Sequence, residues 1–308
     1  MEKLIRIGTR ESRLAAWQAG QVQSLLAASG FSSELIYIKS EGDMDQKTPL
    51  YALGVQGIFT KTLDTALIND KIDLAVHSMK DMPVQLARGV LQSAVLKRGP
   101  ASDILVYKSG GPDRAAGLAN GFIVATGSVR RKAQWLNKYP GHRIEDLRGN
   151  IDTRLKKLNS GAWDAAIFAQ AGLERIGLQP FNTEILDWML PAPAQGAIVV
   201  VCREEDSFCY EACQSFHDQA TALCTKIERD FLSKLMGGCS TPIGAIAEIE
   251  NDEVYFRGNL LTRDGRRKFE IEKILPVEMA EYMGQSAAED LLNQGGQEIT
   301  DPILHAGQ

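Results

Sequence analysis

Two proline- and glycine-rich interruptions constrain the fold of this chain most: Lys97-Arg98-Gly99-Pro100-Ala101-Ser102-Asp103 and Leu190-Pro191-Ala192-Pro193-Ala194-Gln195-Gly196. The first follows the apolar, strand-like run Leu91 to Leu96, and the second precedes the apolar run Ala197 to Val201. Neither break can continue a helix or a central strand. A chain that leaves one sheet at the first break and returns to it at the second builds an inserted lobe between them. The reading is α/β, with two lobes joined by hinge strands as in clamshell binding folds. At 308 residues the chain exceeds what one hydrophobic core usually serves, which is about 250 to 300 residues. We therefore expect a first lobe over 1–98 with 196–217, a second over 99–195, and a small C-terminal α+β domain over 218–308.

Strand-to-helix turns carry the chemistry. Leu4 to Gly8 reads as a strand, and Ser12 is placed to cap a helix running to about Ala28, with Leu14, Gln18, Val22, Leu25 and Leu26 on one stripe. Arg10 and Ser12 lie beside the free amides at that helix start, where an anion is favoured, although the turn taken alone reads as a plain cap with a solvated arginine. Leu35 to Lys39 is a second strand, Ser40 to Gly57 an irregular flap-like stretch, and Phe59 to Ile68 a helix. The short buried strand Ile72 to Val76 delivers His77-Ser78-Met79-Lys80-Asp81-Met82-Pro83. Ligands of open α/β sheets gather beyond strand carboxyl ends, so Asp81 is a candidate acid or base there. A local Lys80–Asp81 pair is the alternative.

The inserted lobe repeats this logic. Phe122 to Ala125 reads as a strand, and Thr126-Gly127-Ser128-Val129-Arg130-Arg131 turns into a helix capped by Ser128. Arg148-Gly149-Asn150-Ile151-Asp152-Thr153-Arg154 precedes a helix placed from Thr153 to Leu158, and a helix after the strand Ala165 to Phe168 carries Arg175. Hydroxyls, unpaired helix amides and arginines make a seat for carboxylate or phosphate. After Cys202, helices are expected over Ser207 to His217 and Ala220 to Met236, and in the third domain strands over Ile243 to Glu250, Val254 to Leu261 and Phe269 to Ile274. A covering helix is expected from Pro276 to Asn293.

Between helix and sheet sits Gly237-Gly238-Cys239-Ser240-Thr241-Pro242. Two glycines and a proline put Cys239 on a bend, where a thiol is available for bond formation. The other cysteines, at 202, 209, 213 and 224, match no common zinc spacing, so neither a metal site nor a disulfide framework is expected. Net charge is −5, yet arginines cluster at the turns, and an acidic average can hide a basic cleft. With no nucleic-acid motif, small anions fit that cleft best. No apolar run is long enough to span a bilayer and no export signal is visible, so a cytoplasmic protein is expected.

His77-Ser78-Met79-Lys80-Asp81, Ser128-Val129-Arg130-Arg131, Arg148-Gly149-Asn150, Gln195-Gly196-Ala197 and Gly238-Cys239 together resemble the porphobilinogen deaminase (hydroxymethylbilane synthase) family, in order and over nearly the whole chain. The resemblance implies two periplasmic-binding-protein-like lobes and a small third domain. It implies a transferase of tetrapyrrole and heme biosynthesis that condenses four porphobilinogen molecules head to tail, with loss of ammonia, and releases hydroxymethylbilane by hydrolysis. A dipyrromethane cofactor would be attached through Cys239. Asp81 would be the catalytic carboxylate and would also contact the cofactor together with Lys80, Ser128, Arg130 and Arg131. Arg10, Ser12, Gln18, Ser78, Thr126, Arg148, Arg154 and Arg175 would hold substrate or the growing polypyrrole. The protein is expected to be a monomer with no nucleic-acid or membrane partner.

Departures from the family pattern fall in the flap, where Ala52 and Gln56 stand in place of the usual lysines; in addition Gly127 replaces a serine and Ser240-Thr241 replaces Gln-Val. Two rival readings need other features: a two-lobe carboxylate binder needs neither Cys239 nor Asp81, and a cysteine hydrolase would pair Cys239 with His77.

Overall fold

The computed structural model describes residues 3–39, 60–109, 121–178, 182–235 and 241–300. The expected flap over Ser40 to Gly57 and the Cys239 turn lie outside the described residues.

The first five-stranded sheet has the order β2-β1-β3-β10-β4, built from β1 (Ile5–Thr9), β2 (Ser33–Tyr37), β3 (Leu74–Ser78), β4 (Val90–Val95) and β10 (Ile198–Arg203). β1 runs parallel to β2 and β3, whereas β10 is antiparallel to β3 and β4. Helices α1 (Arg13–Ala28) and α2 (Lys61–Ile68) cover opposite faces. Alternation decides which side chain goes where: Leu74 and Val76 join Ala19, Val22 and Leu26 of α1, while Ala75 packs with Leu63 and Leu67 of α2.

The second sheet repeats the plan in the order β7-β6-β8-β5-β9, from β5 (Asp103–Tyr107), β6 (Ile123–Ala125), β7 (Arg143–Glu145), β8 (Ala165–Ala169) and β9 (Thr183–Ile185). Its helices are α3 (Val129–Lys138), α4 (Ile151–Ser160) and α5 (Gln170–Arg175). β5, the strand that arrives across the first break, is antiparallel to β8 and β9, as β10 is to its neighbours after the second break. Each sheet thus receives a strand from a crossing. The crossings are hydrogen-bonded side by side, Gly99 N donating to Gly196 O at 3.1 Å.

After β10 come α6 (Ser207–Gln214) and α7 (Gln219–Lys234), then the antiparallel sheet β11 (Ile243–Glu250), β12 (Glu253–Leu261) and β13 (Lys268–Pro276), and α8 (Met283–Leu291). α7 and α8 share one core with this sheet, in which Phe231 and Phe256 meet edge to face with centroids 5.1 Å apart.

Several boundaries differ from the sequence reading. β3 begins at Leu74 rather than Ile72 and runs on to Ser78, because the Asp73 carboxylate accepts from Arg6 N, at 2.9 Å, and fixes the strand entrance. α4 starts at Ile151, since the Asn150 side chain accepts from Thr153 N and so serves as its cap. α6 stops at Gln214, and the covering helix begins only at Met283, after a separate short turn at Val277–Met279, and passes beyond Leu291 into a π-helical turn, Leu292–Gly296. Asp103, read as the end of a linker, is the first residue of β5, and β5, β7 and β9 were not anticipated as strands.

Gly196 sits at φ +88°, and a Cβ there would lie 2.6 Å from Gly99 O and 2.8 Å from Pro100 O. Gly30 has φ +86° with nothing within 4 Å. Gly30→Ala should therefore cost only the left-handed strain, about 1–2 kcal/mol, while Gly196→Ala should add an overpacking cost of about 1–3 kcal/mol. Urea unfolding of both variants checks the difference, and equal losses would mean that the crossings separate without cost.

Candidate active site

The turn after β3 is held by the sheet on one side and by burial beneath. Met79 N donates to Ala197 O at 3.0 Å, Met82 N to Met79 O at 3.1 Å, and both methionine side chains are buried. Between them Lys80 is half-buried and Asp81 is exposed. Lys80 Nζ donates to Gln195 Oε1 at 3.3 Å, and no ion pair joins it to Asp81 among the described residues. The local-pair alternative is therefore not the arrangement found. Burial pushes the Lys80 ammonium down to about 8, opposed by Asp81 and Asp103 and reinforced by Arg131 and Arg130.

From Lys80 a continuous polar path crosses the hinge. Gln195, itself buried, donates through Nε2 to Ala101 O at 2.6 Å and to Asp103 Oδ1 at 2.8 Å. Asp103 is fully buried and also accepts from Arg130 Nη1 (2.7 Å, at Oδ2) and from Arg131 Nε and Nη2 (3.2 and 2.7 Å, at Oδ1). Burial alone would push this carboxyl up, but Arg130 and Arg131 outweigh it and hold it well below the usual carboxylate range. The remaining guanidinium donors reach carbonyls, Arg130 Nη1 to Leu190 O at 2.7 Å and Arg131 Nη1 to Ile167 O at 3.0 Å. Arg130 Nε is buried with no partner among the described residues.

The helix starts are arranged as their caps dictate. Ser128 Oγ accepts from Arg131 N at 3.4 Å, and the buried Thr126 accepts at Oγ1 from Ser128 N at 3.2 Å. Ser12 Oγ accepts from Ala15 N at 3.3 Å, so this hydroxyl caps α1, with Arg10 half-buried beside it. Gln18 is buried on α1 and donates through Nε2 to Ser78 Oγ at 2.8 Å, joining the first helix to the end of β3.

Arg154 donates through Nε to Gly149 O at 2.7 Å. Burial, with repulsion from Arg131 and Arg148, pushes it down to about 10 against the attraction of Asp81. The structure therefore brings Arg131, Arg148, Arg154 and Asp81 into one electrostatic neighbourhood. Arg175 is turned to the hinge instead, donating through Nη2 to Gly196 O at 2.5 Å and lying 5.7 Å from the Trp17 ring centroid.

His77 is buried, and that burial, with Arg10 adding to it, pushes its imidazole down to about 3, so it is neutral at ordinary pH. Cys202, Cys209, Cys213 and Cys224 are buried free thiols. No group of three His, Cys, Asp or Glu side chains is placed to hold a metal among the described residues, and no described helix is long and apolar enough to cross a membrane.

Sequence reasoning missed Asp103. Its signal was present: an acidic residue directly before Ile104-Leu105-Val106-Tyr107, in a chain with paired arginines, is a carboxylate carried indoors by a strand.

Asp103→Asn would leave two guanidinium groups buried without their counter-charge, and breaking such a pair costs about 3–5 kcal/mol. Because the native carboxyl is depressed, its contribution is complete above the unfolded value of about 3.9 and is lost progressively as pH falls from there through the lower native value. The variant should thus be less stable at neutral pH and should lose less on acidification. Denaturant titrations at neutral pH and near pH 3 check both.

Comparison with known proteins places these features in a family. Residues 5–211 match the family model described as "Porphobilinogen deaminase, dipyromethane cofactor binding domain", and residues 222–293 match "Porphobilinogen deaminase, C-terminal domain". A curated relative from Methanocella arvoryzae, "Probable porphobilinogen deaminase", is 38% identical over 299 residues, covering 96% of this chain and 97% of its own. Among solved structures, a periplasmic substrate-binding protein from Coxiella burnetii gives a TM-score of 0.44 at 15% identity, over 71% of this chain and 94% of its own. The methionine-binding protein MetQ gives 0.43 at 14% identity, over 68% and 90%. With two matched domains spanning both lobes and the C-terminal unit, this chain belongs to the porphobilinogen deaminase family.

Proposed function

We propose that the turn bearing Lys80 and Asp81 is the floor of the site where this chain, as a hydroxymethylbilane synthase, joins four porphobilinogen molecules with loss of ammonia. The observation that carries this reading is the cationic neighbourhood of Lys80, Arg131, Arg148 and Arg154 around an exposed Asp81. The donor set suits a polycarboxylate. Arg130 Nε is an orphaned buried donor, and Lys80 Nζ, held by one long hydrogen bond to Gln195, keeps donors to offer.

A dipyrromethane fits that chemistry, with Lys80, Ser128, Arg130 and Arg131 holding its acetate and propionate groups and Cys239 anchoring it; when bound it supplies the acceptor carbon for the incoming pyrrole. Arg148, Arg154, Arg10, Arg175, Thr126, Ser12, Ser78 and Gln18 hold the carboxylates of substrate and growing chain. Planar guanidinium forks match carboxylates, which explains arginine over lysine. Asp81 accepts a hydrogen bond from the substrate pyrrole N–H and balances the positive charge that develops as the aminomethyl nitrogen departs. Neutral His77 is a poor partner for a thiolate, which weighs against the cysteine hydrolase. The reading keeps a division into 1–98 with 196–217, 99–195 and 218–308, supported at its first two boundaries by the crossings, and includes a monomer working in the cytoplasm without nucleic acid.

Two measurements test it. Intact-mass spectrometry of active protein should give the bare chain plus two linked pyrroles; an active protein with the bare mass overturns the covalent cofactor at Cys239. Asp81→Asn should load its cofactor and melt near the parent temperature, yet form product at least about a hundredfold more slowly. Near-normal single-turnover rates in that same preparation would remove Asp81 from the mechanism.

A further inference from the structure

One more guanidinium bears on the turn, from the opposite side and from the third domain. Arg229, half-buried on α7, points its donors at main-chain oxygens: Nη1 at Met79 O (3.3 Å) and Met82 O (3.2 Å), Nη2 at Pro83 O (2.6 Å) and Val84 O (3.3 Å). Four carbonyls within six residues therefore converge on one side chain, and Lys80 and Asp81 lie inside that span. Met79 and Met82 anchor the turn in the core of the first lobe, and beside it an open cleft is bordered by Met79, Val84, His217, Lys226 and Arg229.

The geometry of the clamp carries orientation as well as attachment. A guanidinium is planar and its donors have fixed directions, so several acceptors on one fork set the tilt of the backbone they belong to. The preceding residue on α7 points to the hinge. Glu228 accepts from Arg98 Nη1 and Nη2 (2.5 and 3.0 Å), from Ala194 N (2.6 Å) and from Ala247 N (2.8 Å). Adjacent residues on one helix thus hold the turn and both crossings to the same strut.

We propose that Arg229 is a positioning residue for the reaction: without touching substrate, it fixes the tilt of the 79–84 turn and so the place of the Asp81 carboxylate. This rests on Asp81 being the catalytic carboxylate. Small misplacements of a reacting group cost on the order of a hundredfold per ångström, which sets the expected scale.

The test uses cofactor-loaded Arg229→Met and Arg229→Lys beside Asp81→Asn. Arg229→Met should keep its cofactor mass and a KM within about threefold of the parent, while kcat falls roughly ten- to a hundredfold and amide exchange across residues 79–84 quickens. Arg229→Lys, with a charge but no fork, should recover part of kcat. A merely structural Arg229 would lower the melting temperature and leave kcat per loaded molecule unchanged, and that result overturns the proposal. Should Arg229→Met fail to fold, Arg229→Lys decides: parental kcat with parental exchange at 79–84 overturns it equally. A slow Asp81→Asn with a normal Arg229 variant sinks this inference alone; a normal Asp81→Asn sinks the reading beneath it as well.

Discussion

A carboxylate removed from water, Asp103, is the interaction on which the arrangement of both lobes depends. It is fully buried, and such a charge is tolerated only when paired and hydrogen-bonded on every side. Arg130 and Arg131 bring their charges from the start of α3, and Gln195 brings its amide from the second crossing. The strand that carries Asp103, the helix that carries the arginines and the returning crossing are thereby fixed to one another. Because Gln195 also accepts from Lys80, the first lobe's turn is tied to the second lobe's buried ion group through a single side chain.

The third domain completes this arrangement rather than standing apart from it. Glu228 closes a second buried ion pair with Arg98 at the first crossing while also accepting from Ala194 N in the second. The crossings are thus held to each other by the Gly99–Gly196 hydrogen bond and to α7 by Glu228.

Much of the architecture was legible because apolar runs and breakers were unambiguous. The breaks at 97–103 and 190–196 announced the crossings, and Ser12 and Ser128 announced helix starts that the structure has at Arg13 and Val129. The short strands β7 and β9 were not legible: three residues with half-exposed side chains give no periodicity to read. The site was partly legible. Arginines at helix starts suggested an anion seat, but nothing in local sequence distinguishes Arg131, whose guanidinium is occupied by Asp103, from Arg154, whose charge is repelled by its neighbours. That distinction is made by tertiary partners from β5 and β8, which neutralise Arg131 without removing it from the site. Arg229 was invisible for the same reason, since its acceptors are main-chain oxygens some 150 residues away and any sequence supplies those.

Under the proposed function, the cationic neighbourhood favours ligands with several carboxylates. Burial and mutual repulsion push Arg154 down to about 10 and Lys80 down to about 8, so the folded protein already bears the cost of bringing these charges together before any ligand arrives. Asp103 offsets part of that cost but is committed to Arg130, Arg131 and Gln195, and Asp81 is exposed. A ligand that supplies acetate and propionate groups relieves the repulsion as it binds, so recognition and charge relief are one event. A neutral ligand of the same shape would gain no such relief, and a monocarboxylate would relieve only one neighbour. Under the proposed function, selectivity for polycarboxylates follows from positive charge that the fold holds close together.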